Sequence, residues 1–395
     1  MEPCGIIAMH MDTILYIDAK RDSSAESGKV PGMRRWCATR GWRVMVVYRD
    51  EAHPRRLRER LSTLLAEVRP AGCIVEASWS DGLLPARLFG AIPVVYVDYQ
   101  GVTRIGRGVS TVSCDNEAAA KMAFRELSVG LPPSYAAVPG VHVAPWSSER
   151  IRVFRELCAD EGKPCRVFPG HRGESRDERL ARLCGWVKSL PANVAIFGAN
   201  DLAACDVLRA LAADGRAAPR NATVVGIDGR AFSQDPLEER VTTVRLDFER
   251  AGYLAAQALW ENTSRSPREL KFGPSMLLRR KSTGGRGRHE QRVTEAVAMI
   301  RAEATKGLTA RALAARFRGN RNHFEQRFRE AVGHGILDEI LHVRLEAVLA
   351  YLTQPETPIS AIAAFCGFGS DIELRRLFRR RFNCSMRQWR KDHAR

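Results

Sequence analysis

Three clusters of polar residues follow short apolar runs in the first two thirds of this sequence. They consist of Trp146 with Arg150, Asn200 with Asp201, and Asp228 alone. Carboxylates, amides and an arginine can hydrogen-bond to vicinal hydroxyl groups, and an indole ring can cover the C–H face of a sugar ring. The residue types therefore predict a binding site for a small polyhydroxylated ligand.

Each cluster also has a structural interpretation that the sequence leaves open. Asn200 and Asp201 stand just before a helical stretch, where short polar side chains commonly cap the helix. Trp146 could belong to the hydrophobic core. The binding interpretation rests on the set as a whole, because all the parts of a sugar site occur where predicted strands end.

Short apolar runs alternate with stretches of helical periodicity from about residue 13 to residue 281. The runs predict strands at 14–17, 44–48, 73–75, 94–97, 136–138, 194–197 and 224–227, and the periodic stretches predict helices at 55–68, 117–129, 149–161, 177–190 and 201–214. This alternation is typical of parallel sheets covered by helices on both faces. About ten strands are too many for one compact sheet, so we expect two lobes, with ligands at the carboxyl ends of strands.

A change of composition separates this region from the rest of the chain. Residues 282–289 read Ser-Thr-Gly-Gly-Arg-Gly-Arg-His, which is typical of an interdomain linker. No β-rich run follows, and the apolar residues of 290–391 recur at helical spacing, which predicts an all-α domain. Residues 286–395 also carry a net charge of +9, out of +17 for all 395 residues. The basic charge is concentrated at the C-terminus and predicts a polyanionic partner there.

Two segments of the all-α region resemble each other at an offset of 49 to 50 residues, and each predicts a helix, a tight turn and a second helix. Thr309 and Thr357 (before Pro358) are suited to cap the first helices, and Asn320 and Ser370 the second. Apolar pairs four residues apart would bury one face of each second helix. The exposed faces would then carry Arg321, Asn322, Glu325, Gln326 and Arg329 in the first unit, and Asp371, Ile372, Arg375, Arg376 and Arg379 in the second.

These exposed side chains are of the types that recognise base edges. Arginine can bind guanine with two hydrogen bonds, and asparagine or glutamine can do the same with adenine, when a helix lies in the major groove. Basic helical hairpins also occur as ordinary solvated surfaces. Two such units at a fixed spacing in a basic domain favour DNA recognition instead.

The segment 359–370, Ile-Ser-Ala-Ile-Ala-Ala-Phe-Cys-Gly-Phe-Gly-Ser, together with the later Phe378-Arg-Arg-Arg-Phe-Asn and Gln388-Trp-Arg, closely resembles the signature of AraC-type transcription regulators. The resemblance covers about 290–391 and implies two helix-turn-helix units, joined by a long helix near 338–352, that enter successive major grooves. Its base-facing positions fall on Asn322, Glu325 and Gln326, and on Asp371, Ile372, Arg375 and Arg376. Two positions depart from the signature: Asn383 replaces a glycine and Met386 replaces a proline.

The segments Asn200-Asp201-Leu-Ala and Val225-Gly-Ile-Asp228 resemble the sugar-sensing domain of LacI/GalR-type repressors, which is itself similar to periplasmic sugar-binding proteins. This resemblance covers about 11–281. It implies ligand contacts from Arg150, Asn200 and Asp228, and a further polar position at Asp115. A sensor of this type followed by an AraC-type reader resembles the bacterial xylose-operon regulators, which implies a monosaccharide such as a pentose as the effector.

Other classes of protein fit the sequence less well. It lacks G-x-S-x-G and G-x-x-x-x-G-K-[ST] motifs, and its ten cysteines include no C-x-x-C pair, so we expect neither an enzyme nor a metal or other cofactor. A transport-type binding protein would have no use for the C-terminal domain. A non-sugar effector, such as a purine or a uronic acid, stays open.

We also expect a cytoplasmic protein, since no apolar run approaches the roughly 20 residues of a membrane span and residues 1–11 lack the features of a signal peptide. Double-stranded operator DNA is the expected macromolecular partner. We expect a homodimer, because one monomer would read only one half-site. RNA polymerase would be a further partner if the protein activates transcription.

Overall fold

The computed structural model describes residues 12–18, 25–48, 54–78, 84–101, 105–106, 108–140, 144–171, 173–229, 236–261, 267–284, 288–317, 321–354 and 356–393. The chain divides into two compact units, and it passes from one to the other several times. The first comprises Met1–Ala118, Ala144–Glu149 and Asp247–Gly273, and the second comprises Ala119–Val143, Arg150–Leu246 and Pro274–Arg395.

The described residues form twelve strands and fourteen α-helices. The strands are β1 (Thr13–Asp18), β2 (Arg43–Tyr48), β3 (Gly72–Glu76), β4 (Val94–Val97), β5 (Ser110–Cys114), β6 (Tyr135–Val138), β7 (Cys165–Val167), β8 (Val194–Gly198), β9 (Ala222–Asp228), β10 (Thr242–Leu246), β11 (Glu269–Phe272) and β12 (Pro274–Leu278). The helices are α1 (Ala25–Ala38), α2 (Pro54–Val68), α3 (Asn116–Ser128), α4 (Pro145–Asp160), α5 (Arg176–Lys188), α6 (Asp201–Ala213), α7 (Phe248–Glu261), α8 (Arg288–Glu303), α9 (Ala310–Ala315), α10 (Arg321–Val332), α11 (Ile336–Leu352), α12 (Ile359–Phe365), α13 (Asp371–Phe382) and α14 (Met386–His393).

The first unit is built on a six-stranded parallel sheet in the order β11-β5-β4-β3-β1-β2. In the interior strand β1, the residues from Ile14 to Ile17 are fully buried. A strand covered on both faces needs apolar side chains at every position, which explains the unbroken apolar run in the sequence. The edge strand β2 is covered less well, and Met45 is exposed there.

The second unit contains a second six-stranded sheet, in the order β12-β10-β9-β8-β6-β7, together with the helical C-terminal region. We call the part built on this sheet the second lobe. All its strands are parallel except β12, which runs antiparallel to β10. Phe154 of α4 stacks on Phe197 of β8 with ring centroids 4.6 Å apart, so this helix packs directly on the sheet. The prediction of an α/β domain with two sheets is confirmed.

The helical region has two hydrophobic cores that α11 spans. Ile336 and Ile340, in the first half of this helix, belong to the core around α8, α9 and α10. Val348 and Leu352, in its second half, belong to the core around α12, α13 and α14. The predicted all-α region with two helix-turn-helix units and a long connecting helix is therefore present, and the connecting helix extends from residue 336 to residue 352.

The structure also shows where local sequence patterns misled. Strands β5, β7, β10, β11 and β12 were not predicted, because each contains polar or charged residues that interrupt the apolar run. Two residues of the predicted linker 282–289 pack into the second lobe, where the Ser282 hydroxyl donates to the Val224 carbonyl at 2.6 Å and accepts from the Thr242 amide at 2.7 Å. The described chain resumes with α8 at Arg288.

Among the described residues, no helix combines the length and the apolar character that crossing a membrane would require.

Candidate ligand-binding and DNA-binding sites

Arg150 and Asp228, which are 78 residues apart in sequence, meet in the second lobe. Arg150 lies on α4 and is buried, and Asp228 ends β9. The Arg150 Nη1 atom lies 3.3 Å from Asp228 Oδ1 and donates to the Ala199 carbonyl at 2.8 Å. The pair joins a hydrogen-bond donor and an acceptor at the carboxyl ends of β8 and β9, which is where α/β sheets bind ligands.

Asn200 and Asp201 open α6 immediately after β8, beside this pair. The Asn200 Oδ1 atom accepts from the Ala203 amide at 3.0 Å, so Asn200 is the N-cap of the helix. Asp201 is buried, and its Oδ2 atom accepts from the Gly229 amide at 2.9 Å. Both side chains therefore have partners within the lobe, and Asn200 remains half-buried.

Asp115 and Trp146 belong to the first unit. Asp115 follows β5, is half-buried, and caps α3 by accepting from the Ala118 amide at 2.9 Å. Trp146 lies in the first turn of α4 and is half-buried. The side-chain Nδ2 atom of Asn116 donates to Glu149 Oε2 at 2.8 Å, which connects the start of α3 to the start of α4.

The first unit contains a buried polar cluster that the sequence patterns did not indicate. Lys29 Nζ donates to both carboxyl oxygens of Glu76, at 2.9 and 2.7 Å, and to Asp98 at 3.1 Å. The Tyr16 hydroxyl donates to the same glutamate at 2.6 Å, and the adjacent Lys29 lowers the pKa of Glu76 against the opposing effect of burial. Asp98 directly follows the predicted strand 94–97, so the strand-end rule that singled out Asp228 would also have found it.

In the first helix-turn-helix unit, α10 buries Phe324 and Phe328 and exposes Asn322 and Gln326. Glu325, also predicted to face bases, is half-buried. Arg321 begins the helix, but its side chain and the proposed cap Asn320 lie outside the described residues. Thr309 caps α9 as predicted, since its hydroxyl oxygen accepts from the Ala312 amide at 3.1 Å.

In the second unit, α13 buries Leu374 and Phe378, as predicted. Ile372, Arg375 and Arg376 are exposed, and the half-buried Asp371 holds Arg375 in an ion pair with an Nη2–Oδ2 distance of 2.6 Å. Further exposed arginines occupy the last turn of the helix at positions 379, 380 and 381. This exposed surface combines side chains that can bind bases with side chains that can bind phosphates.

The ends of these helices refine two expectations. Ser370 caps α13, accepting from the Glu373 amide at 3.1 Å, and Asn383 ends it with φ 54°, the left-handed conformation for which the signature has glycine. The prediction that Thr357 caps α12 is wrong, because Pro358 occupies the N-cap position and the Thr357 hydroxyl donates to Gln354 at 2.7 Å.

Within the described part of the chain, no group of three or more His, Cys, Asp or Glu residues is arranged to hold a metal ion. Nine cysteines in that part are free thiols.

Two family models match the chain. The model of a periplasmic binding protein-like domain matches residues 133–283, and that of a helix-turn-helix domain matches residues 313–392. These ranges contain the Arg150–Asp228 pair and the two exposed helices, respectively. The chain therefore joins a periplasmic binding protein-like domain to a helix-turn-helix domain.

Curated relatives and solved structures are similar to this chain over most of its length. The xylose operon regulatory protein of Escherichia coli K12 is 25% identical over 289 residues, which are 71% of this chain and 74% of that protein. A solved structure of a xylose-binding transcription activator matches with a TM-score of 0.57 and 20% identity, over 98% of this chain and all of the other. The cellobiose complex of the transcriptional regulator CelR matches 69% of this chain and 84% of its own, with a TM-score of 0.52 and 22% identity. The two-domain chain is thus homologous to transcription regulators.

Proposed function

We propose that this protein is a sugar-responsive, sequence-specific transcription regulator that binds a monosaccharide in its periplasmic binding protein-like domain and operator DNA with α10 and α13. A pentose such as xylose is the proposed effector, since the homologous regulators are named for xylose. The observation that carries the proposal is the presence in one chain of the Arg150–Asp228 pair and of two helices, α10 and α13, that expose side chains of the types that bind bases.

The chemistry of the second lobe supports a polyhydroxylated ligand. Arg150 offers N–H donors and Asp228 offers acceptor oxygens, while 14% of the Asp228 side chain remains exposed. A hydroxyl group both donates and accepts, so two adjacent hydroxyls can bind to such a pair at once. We include Asn200 in the site because it lies at the same strand ends. Asp115 and Trp146, at the starts of two helices in the first unit, are proposed as ligand-binding residues of that unit.

The charge and exposure of the helical region support DNA as the macromolecular partner. Arginines at 375, 376, 379 and 380 are exposed along α13. Such side chains displace counterions from phosphates, which makes affinity strongly dependent on salt. We propose that the protein acts as a homodimer in the cytoplasm, with one half-site for each protomer, and that it contacts RNA polymerase if it activates transcription.

Two experiments on the full-length protein test this function. A thermal-shift screen against pentoses, hexoses and uronates should show stabilisation by one class of neutral sugar, because a ligand that binds only the folded state raises its melting temperature. Footprinting should show protected segments about one helical turn apart for each monomer. Protection of a single groove, or an affinity that does not fall with salt, contradicts the proposal that α10 and α13 bind in successive major grooves.

A substitution at Asp228 separates sugar binding from DNA binding. Asp228→Ala removes the acceptor beside Arg150, so sugar affinity should fall about ten- to a hundredfold, the equivalent of losing a charge-assisted hydrogen bond of roughly 1.5–3 kcal/mol. DNA affinity without sugar should stay within a few-fold. Asp160→Ala, which removes an exposed carboxylate from the end of α4, is the matched control and should leave both affinities unchanged. Unaltered sugar binding by a normally folded Asp228→Ala protein would exclude Asp228 from the site.

A further inference from the structure

Asp201 lies beside the candidate ligand site but is enclosed by the protein. Only 2% of its surface is exposed. Its Oδ1 atom lies against Gly226 of β9, where an added Cβ would be only 2.3 Å away. That oxygen has no hydrogen-bond partner among the described residues, and Oδ2 is bound to the Gly229 amide. The side chain therefore faces the strand and the turn that follows it.

The turn that Asp201 binds is conformationally strained. Asp228 has a φ of 126°, a region that residues with a side chain rarely adopt. Such a conformation persists only where the surroundings enforce it, and it is often found at functional sites. Two groups hold the next peptide: the Gly229 amide lies 2.9 Å from Asp201 Oδ2 and 3.1 Å from the Thr243 hydroxyl oxygen.

The strained residue is the one that meets Arg150. The direction of the Asp228 side chain depends on the backbone conformation at the end of β9. Arg150 is held separately, by its hydrogen bond to the Ala199 carbonyl. We propose that Asp201 is a positioning residue for the ligand site: its carboxyl group holds the Asp228–Gly229 turn, and so directs Asp228 toward the ligand, without contacting the ligand itself. The inference rests on the proposed function, because it concerns the same site.

The electrostatics fit a side chain that serves as an acceptor and not as a charge. Burial and the adjacent Asp228 raise the pKa of Asp201 well above its ordinary value, while Thr243, the Gly229 amide and Arg280 act in the opposite direction. A neutral carboxyl group still accepts from the Gly229 amide through one oxygen. An asparagine has the same shape and the same acceptor, so it should replace this aspartate in the positioning role.

The test compares two substitutions in the full-length protein by calorimetric titration with D-xylose and, if that is not bound, with the sugar selected by the thermal-shift screen. Asp201→Ala should weaken sugar binding by about tenfold or more, and Asp201→Asn should keep it within about threefold. Val187→Ala, a truncation on α5 in the core of the second lobe, controls for lost stability. It should lower the melting temperature while leaving sugar affinity within about threefold.

A measurement without any sugar keeps the inference testable if the proposed effector class is wrong. Hydrogen exchange at the Gly229 amide should be slow in the wild type and in Asp201→Asn, and faster in Asp201→Ala. Unchanged protection in the alanine variant overturns the proposal. Equal loss of sugar affinity in both Asp201 variants also overturns it, because the carboxylate charge would then act on the ligand directly. A wild type that binds no sugar in the panel contradicts the proposed function alone.

Discussion

At the scale of single residues, the structure brings together side chains whose interaction the sequence alone does not indicate. Asp371 holds the guanidinium group of Arg375 on the exposed face of α13. An exposed ion pair of this kind adds little stability, but it limits the directions that a long arginine side chain can take. We expect this orientation to matter when Arg375 meets a base.

Arg375→Ala should therefore remove about 1–3 kcal/mol of discrimination at one base position, because a two-pronged hydrogen bond to that base is lost. Sugar affinity should not change. Arg152→Ala removes the same charge from the exposed surface of α4 and controls for a general loss of attraction to DNA. Measured affinities for a set of single-base operator variants will reveal the position, and a uniform loss across all variants would assign Arg375 to the phosphates instead.

Asp201 gives a residue-scale prediction about pH. A carboxyl group whose pKa is raised by folding binds its proton more tightly in the folded state, so its ionisation opposes folding. The wild type should lose stability as the pH rises from the ordinary aspartate pKa through the raised value. Asp201→Asn lacks this group, and its melting temperature relative to the wild type should rise with pH. Parallel curves for the two proteins would contradict the assigned shift.

At the scale of elements, one buried arginine joins the two helix-turn-helix units. Arg344, in the middle of α11, donates to the Ala304 and Leu308 carbonyls, both at 2.9 Å, and its guanidinium lies 5.5 Å from the centre of the Phe368 ring. The turn of the second unit also packs closely here, since a Cβ at Gly367 would lie 2.7 Å from the Ala304 oxygen. These contacts fix the angle between the two readers.

Arg344→Met keeps an unbranched apolar side chain but removes both hydrogen bonds. Losing these two hydrogen bonds to buried carbonyl groups should cost about 2–4 kcal/mol of unfolding free energy, which urea denaturation will measure. Affinity for an operator that both helix-turn-helix units contact should fall more than affinity for a DNA site that only one unit contacts. Arg311→Met, at an exposed position of α9, is the control. Equal losses on both DNA sites would show that Arg344 acts through stability alone.

At the scale of the molecule, the second lobe and the first DNA reader share a hydrophobic core. Met276 and Leu278 of β12 pack with residues of α8 and α10. The next residue, Arg279, forms two ion pairs. Its Nε atom lies 2.9 Å from Oε2 of Glu126 on α3, and its Nη1 atom lies 3.8 Å from Oε2 of Glu330 on α10. Because β12 pairs with β10, which pairs with β9, the strand that ends at Asp228 is connected to α10 through two neighbouring strands.

This connection predicts how the ligand signal travels. The double variant Met276→Ser/Arg279→Ala should bind sugar within about threefold of the wild type. Met276 lies in register with Asp228, but Arg245 of β10 stands between them, so neither substitution removes a group adjacent to Asp228. The coupling between sugar and DNA, typically about 1–3 kcal/mol, should fall toward zero. The measurement is the ratio of operator affinities with and without sugar. A ratio equal to that of the wild type would show that the signal bypasses β12.

The sequence by itself determined the class of each region, because local patterns carry that information. Fully buried parallel strands require unbroken apolar runs, as in β1, and paired amphipathic helices require apolar residues four apart, as at Phe324 and Phe328. The strand-end rule found Arg150 and Asp228, which the structure brings together. The two resemblances also predicted the order of the domains, which the family models at 133–283 and 313–392 match.

Only the tertiary structure decided what particular side chains do. Asn200 and Asp201 have the same residue types whether they bind a ligand or the backbone, and their partners Ala203 and Gly229 become known only when the chain is folded. The buried Lys29–Glu76 pair joins residues 47 positions apart, so no local window could contain it. Contacts of this kind depend on which strands become neighbours in a sheet, and spacing along the chain does not specify that order.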